Sequence, residues 1–267
     1  MPMNDQTLAR TLAMGAGRQL MALRAEQGFD DPDVLRAAGD SSSHEQLLAA
    51  LRRSRPDDAV LSEEGADDRA RLASPRVWIL DPLDGTREFA ERGRRDWAVH
   101  VALWERGELA AGAVALPAEG TTLTSSRPPR LADPSAARSR PGAERQLRLA
   151  VSRTRAPAFI PRLAQLLDAE LVPMGSAGAK VAAVLLGRVD VYVHAGGQYE
   201  WDSAAPVAVA AAAGAHTSRM DGSPLTYNQP EPKVPDLIVC HPALAPEVLA
   251  GVAQAVSLPA GNTRAHP

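Results

Sequence analysis

An unbroken apolar segment, Trp78-Ile79-Leu80, runs directly into Asp81-Pro82-Leu83-Asp84-Gly85-Thr86. Three consecutive apolar residues predict the end of a buried strand. Pro82 has no N–H to give to a ladder, so the strand is expected to stop there and release Asp81 and Asp84 on a tight turn. Gly85 lets the backbone approach a ligand closely. Thr86-Arg87-Glu88-Phe89 then reads as the first turn of a helix, with its free N–H groups facing forward. Two carboxylates beside a helix N-terminus suit a hard divalent cation bridging to a phosphate. Taken alone, Asp-Pro and Asp-Gly are also ordinary turn formers.

Two further segments repeat the pattern. Ala59-Val60-Leu61-Ser62 ends in Glu63-Glu64, and Glu200-Trp201-Asp202-Ser203-Ala204-Ala205 opens an alanine-rich helix. In this order the three pieces resemble the inositol monophosphatase-like superfamily of metal-dependent, lithium-sensitive phosphatases, over roughly Asp40 to Gly214. Within it, D-P-L-D-G-T-R-E-F is most similar to the CysQ branch, which hydrolyses 3′-phosphoadenosine 5′-phosphate, and to its actinobacterial members of this length.

Composition narrows the remaining classes. With 267 residues and 45% apolar content, the chain can bury one large core or two coupled ones. A net charge of −3 gives no reason to expect a nucleic-acid polymer as partner. The single cysteine, Cys240, cannot form an internal disulfide, which points to a cytoplasmic location and a core-filling role. The N-terminus lacks the basic-then-apolar pattern of a signal peptide, and no segment is long enough for a membrane span.

Leu8, Leu12, Ala16, Leu20 and Leu23 recur at helical spacing. Asp40 stands before Ser42-x-x-Glu45, a capping-box pattern predicting that a helix starts there with Leu47, Leu48 and Leu51 on one face. Trp97–Trp104, the turn Glu105-Arg106-Gly107-Glu108 and Leu109–Leu116 form a hairpin signature. Residues 1–125 are thus expected to be an α+β subdomain with an antiparallel sheet, carrying most of the metal ligands that the resemblance implies. Residues 126–146, rich in Ser, Arg, Pro and Ala, are expected to connect it to the remainder. Residues 147–267 alternate strands with helices and predict an α/β subdomain with a largely parallel sheet. The resemblance implies one layered α-β-α-β-α sandwich of overall α/β class, with its site in the cleft between the halves.

A dianionic phosphomonoester repels an attacking hydroxide, so its hydrolysis calls for clustered positive charge held by carboxylates. Glu63, Asp81, Asp84 and Asp202 are four candidates. The resemblance implies two to three Mg²⁺ ions: Glu63, Asp81 and the Leu83 carbonyl at the first, Asp81, Asp84 and Asp202 at the second, Glu63 at a weaker third. It further implies that Gly85 and Thr86 offer N–H groups to the phosphate, while Asp40 and the Thr86 hydroxyl activate water. Asp40 and Asp202 can each also be read as a helix N-cap. Glu64, Arg87 and Glu88 read as neighbours of the site or surface groups.

The substrate is expected to be a small phosphate ester. Inositol-specific members carry a Glu shortly before W-D, where this chain has His194-Ala195-Gly196-Gly197-Gln198-Tyr199. Gly175-Ser176-Ala177-Gly178-Ala179-Lys180 resembles the G-S-x-x-K segment of nucleotide-type members, and Val151-Ser152-Arg153 their S-R pair. Ser152, Arg153, Ser176 and Lys180 are therefore expected to hold a second phosphate, with His194 either near a base or packed at a strand end. Inositol or fructose bisphosphate hydrolysis and a non-catalytic regulatory role are the alternatives. The resemblance leaves room for a homodimer.

Overall fold

Helix α1 (Asp5–Gln27) is capped by Asn4, whose side chain accepts the Thr7 N–H, and buries the Leu8, Leu12, Ala16 and Leu20 face. The computed structural model describes residues 3–131 and 146–257. Helix α2 (Pro32–Ser54) follows, and here the capping-box expectation fails. The helix starts at Pro32, where Asp31 caps the N–H groups of Asp33 and Val34. Ser42 lies inside the helix, its hydroxyl 3.4 Å from the Gly39 carbonyl. Asp40 is consequently not an N-cap. Gly39 has a different cause: a Cβ there would lie 2.8 Å from both Leu83 and Phe89 side chains, so α2 can press directly onto the D-P-L-D-G segment.

The first sheet runs in chain order through β1 (Ala59–Ser62), β2 (Arg76–Asp84), β3 (Ala98–Glu105), β4 (Glu108–Leu116) and β5 (Thr121–Thr124). The β1–β2 pair is parallel and the others antiparallel. Strand β2 is apolar on both faces because both are covered. Trp78 and Leu80 pack towards α1 and α2, whereas Val77 and Ile79 pack towards the interior of the molecule. Pro82 does not end this strand, contrary to expectation. The register slips between Asp81 and Asp84, so the proline sits in a bulge and Asp84 rejoins β3 opposite Ala98. Helix α3 (Thr86–Phe89) starts immediately afterwards, from Gly85 in the left-handed region at φ 88°.

The second sheet contains β6 (Leu147–Ser152), β7 (Ala169–Met174), β8 (Val191–Tyr199), β9 (His216–Ser218) and β10 (Lys233–Cys240), ordered β7-β6-β8-β10-β9. It is mixed rather than largely parallel. Strand β6 runs parallel to β7 and β8, while β10 is antiparallel to β8 and β9. The chain reverses after β9, and the reversed strand fills the place beside β8. Helices α4 (Ile160–Leu166) and α7 (Ala245–Ser257) cover the outer face. Helices α5 (Ala177–Leu185) and α6 (Glu200–Ala212) lie between the two sheets in a shared core. The result is the expected α-β-α-β-α sandwich. The expected connection at 126–146 lies mostly outside the described residues. No helix among those described is long and apolar enough to cross a membrane. Cys240 is buried and free, with burial pushing its thiol up to about 12.

Candidate active site

The bulge in β2 presents Asp81 and Asp84 on one side of the sheet, across from His100 of β3, which pairs with Asp81. The Leu83 N–H donates to Asp81 Oδ1 at 3.1 Å, which fixes the bulge. Asp84 is held from the other half of the molecule. Its Oδ2 accepts the Ser176 hydroxyl at 2.5 Å and the Gly178 N–H at 2.7 Å, both at the start of α5. Ser176 adopts φ 33° and ψ 129°, a conformation that non-glycine residues rarely hold. The bond to Asp84 and the N-cap bond from the Ala179 N–H keep it there.

Glu63 lies on the turn after β1 and Asp202 in the first turn of α6, where its Oδ2 accepts the Tyr199 N–H at 2.7 Å. Asp202 thus helps to cap its helix, although Tyr199 occupies the N-cap position. All four carboxylates meet in one cleft, together with Gly85 and Thr86. Desolvation drives Asp81 well above the usual carboxylate range, with Glu63 and Asp84 adding repulsion. Glu63 is raised by desolvation and then by Asp202; Asp202, by desolvation and then by Asp84, reaches about 7. No Arg or Lys among the described residues forms an ion pair with any of the four. Such a crowding of carboxylates fits hard divalent cations.

His100 gives the same answer independently, and sequence reasoning missed it. The ring is fully buried, and desolvation lowers its pKa below the ordinary imidazole value. Its Nδ1 lies 3.1 Å from the Trp201 carbonyl and so carries the proton that it donates. Nε2 is left as a bare acceptor without a hydrogen-bond partner, 3.2 Å from Asp84 Oδ2. Two facing acceptors leave a place for a positive charge. Asp81, Asp84 and His100 present ligand atoms within 4.8 Å of one another. The signal in the sequence was a single polar residue interrupting the apolar run of β3. A Cβ on Gly178 would fall 2.0 Å from Nε2, which makes that glycine obligatory.

Asp40 projects from the middle of α2 towards the Thr86 hydroxyl, 3.3 Å from Oδ1, while the same hydroxyl lies 3.0 Å from the Leu83 carbonyl. Desolvation, followed by repulsion from Glu64, pushes Asp40 up to about 7.

The residues expected to hold a second phosphate divide differently. Lys180 borders the cleft, but its buried ammonium donates to the carbonyls of Gly175 and Ser176 at 2.6 and 2.9 Å. Ser176 is engaged with Asp84, as described. Arg153 does not line the cleft; it is bonded to Glu88, which does, and to Glu91, each at 2.6 Å. The buried Glu88 and exposed Glu91 are its partners. Ser152 lines the cleft and accepts the Arg155 N–H at 3.1 Å. Arg87 lines the cleft as an exposed side chain. His194 also lines it, its Nε2 2.6 Å from the Gly196 carbonyl and its pKa lowered to about 4 by burial.

The Inositol monophosphatase family model matches residues 8–257 of this chain. The 3'-phosphoadenosine 5'-phosphate phosphatase of Mycobacterium bovis is 53% identical over 245 residues, 90% of each chain. That of Mycobacterium leprae is 51% identical over 263 residues, 95% of each. Among solved structures, CysQ from Bacteroides thetaiotaomicron superposes with a TM-score of 0.69 at 27% identity, covering 89% of this chain and 97% of its own.

Proposed function

This chain belongs to the inositol monophosphatase family, and we propose that it removes the 3′-phosphate from 3′-phosphoadenosine 5′-phosphate, giving AMP and inorganic phosphate. It is a phosphatase whose relatives at 51–53% identity carry that substrate in their names. One observation carries the chemical half of the reading: four carboxylates converge without a basic partner beside the Gly85-Thr86 turn. The substrate half rests on those relatives and on the His194-Ala195-Gly196-Gly197-Gln198-Tyr199 stretch, which lacks the carboxylate expected of an inositol enzyme.

Glu63, Asp81 and the Leu83 carbonyl are assigned to one cation, Asp81, Asp84 and Asp202 to a second, and Glu63 to a weaker third. Mg²⁺ is the ion proposed. When bound, the cations supply positive charge to the phosphoryl and leaving oxygens. The protein's own part is positioning and proton transfer. Gly85 and Thr86 donate backbone N–H bonds to the phosphate, which keeps its phosphorus in line with the attacking water. Thr86 orients that water, and Asp40 takes its proton. Burial raises Asp40 above the ordinary carboxylate range, which makes it the better proton acceptor. Residues 1–125 and 147–267 are taken as the two subdomains flanking the cleft. A cytoplasmic location agrees with the lone buried thiol of Cys240.

The test is phosphate release from 3′-phosphoadenosine 5′-phosphate. It should require Mg²⁺, stop on chelation, and be inhibited by Li⁺ at concentrations where Na⁺ has no effect. Li⁺ is close to Mg²⁺ in size with half its charge, so it can replace the weakest-held ion. Undiminished turnover in excess chelator would refute the assignment.

A further inference from the structure

A nucleoside 3′,5′-bisphosphate carries a second dianion, and the side chains first expected to hold it are engaged elsewhere. Arg153 is bound to Glu88 and Glu91, and Lys180 to two backbone carbonyls. We propose that Arg155 is the anchor for the 5′-phosphate. The inference rests on the bisphosphate reading above and adds the residue that distinguishes a bisphosphate from a monophosphate.

Three observations converge on Arg155. It lines the cleft next to Ser152 and Thr154, on the loop leaving β6. Its charge reaches across the cleft from there: it lowers the pKa of His194 on β8, the strand paired with β6. Its guanidinium makes no hydrogen bond or ion pair with any described residue, while its backbone N–H is tied to the Ser152 hydroxyl at 3.1 Å. The loop is thus held while the side chain stays available. Arg153, two residues earlier, differs in each respect, and that difference is set by Glu88 and Glu91.

The geometry of the substrate agrees. Its phosphates hang from C3′ and C5′, with only C4′ between those carbons. A nucleotide with its 3′-phosphate at Gly85-Thr86 therefore keeps its 5′-phosphate inside the same cleft. A planar guanidinium can grip that group with two parallel N–H···O bonds, which the Lys180 ammonium, with two of its three donors on carbonyls, cannot do. Arg87, on α3, is the competing cation at the cleft wall, since Arg36 there is paired with Asp33.

The experiment compares kcat/KM for 3′-phosphoadenosine 5′-phosphate and for adenosine 3′-phosphate, which lacks only the second phosphate. One charge-assisted contact predicts that Arg155→Ala lowers the bisphosphate-to-monophosphate ratio by about ten- to a hundredfold. The change should fall on KM, with kcat held, and Arg155→Lys should recover part of it. Arg155 is exposed, so the variant is expected to keep its Tm. An unchanged ratio in Arg155→Ala, or a loss appearing in Arg87→Ala instead, would overturn the assignment. A parent enzyme without preference for the bisphosphate would overturn the substrate reading itself, which separates the two failures.

Discussion

Asp84 joins the two halves of the site at a single carboxylate. One oxygen receives the Ser176 hydroxyl and the Gly178 N–H, and the group as a whole faces Asp81, Asp202 and His100. Replacing it by Asn separates these roles. The amide oxygen can still accept from Ser176 and Gly178, so the variant should fold, while the lost charge weakens cation binding and phosphate neutralisation together. Asp84→Asn is expected to lower kcat/KM by about a thousandfold or more, roughly 4 kcal/mol of barrier, with a Tm near that of the parent. Phosphate release and a thermal melt on the same sample check this; a folded variant with parental turnover would remove Asp84 from the site. His100 belongs beside it. Its place was visible only through strand register, because a lone His in an apolar run says nothing about what it faces until β2 and β3 are paired.

Short elements hold the site together across the cleft. Helix α3 is clamped to the loop after β6 by Arg153, which bonds Glu88 and Glu91. Removing the guanidinium leaves the Glu88 carboxylate buried without its donor, a loss of about 1–3 kcal/mol. Arg153→Ala should therefore lower Tm yet leave the ranking of bisphosphate over monophosphate intact. A changed ranking with unchanged Tm would reinstate Arg153 as a substrate contact. Much of this scaffold was legible in the sequence. The apolar run before Asp81, the hairpin and the strand–helix alternation each follow from periodicity. Two features were not. Pro82 reads as a strand end, but a bulge lets β2 continue past a residue that cannot donate. Ser42-x-x-Glu45 reads as a helix start, yet Asp31-Pro32 had already nucleated α2, so local capping chemistry at Ser42 had nothing left to cap. The pairing of Arg153 with Glu88 is a contact between distant segments, and no local pattern reports it.

Across the protein, the acidic cleft couples stability to metal. Without cations, Asp40 and Asp202 titrate near 7 in the folded chain, against about 3.9 when unfolded. As pH rises between those values the unfolded chain loses its protons first, so the metal-free fold loses stability, and the penalty is complete above the folded pKa. Bound Mg²⁺ offsets that repulsion. The gain in Tm on adding Mg²⁺ should therefore be small at about pH 5 and larger by several degrees at about pH 8, since about 1 kcal/mol moves Tm by 2–4 °C in a chain of this size. A gain independent of pH would show that the carboxylates do not hold the metal.

The metal-dependent cleft is built to act on a nucleoside 3′,5′-bisphosphate. The most direct measurement is kcat/KM in Mg²⁺ for 3′-phosphoadenosine 5′-phosphate, inositol 1-phosphate and fructose 1,6-bisphosphate, taken on one preparation. The nucleotide should lead inositol 1-phosphate by about tenfold or more, the worth of one charge-assisted contact to its second phosphate, and should also lead fructose 1,6-bisphosphate, whose second phosphate hangs from a different sugar frame. Inositol 1-phosphate or fructose 1,6-bisphosphate in first place would contradict the account.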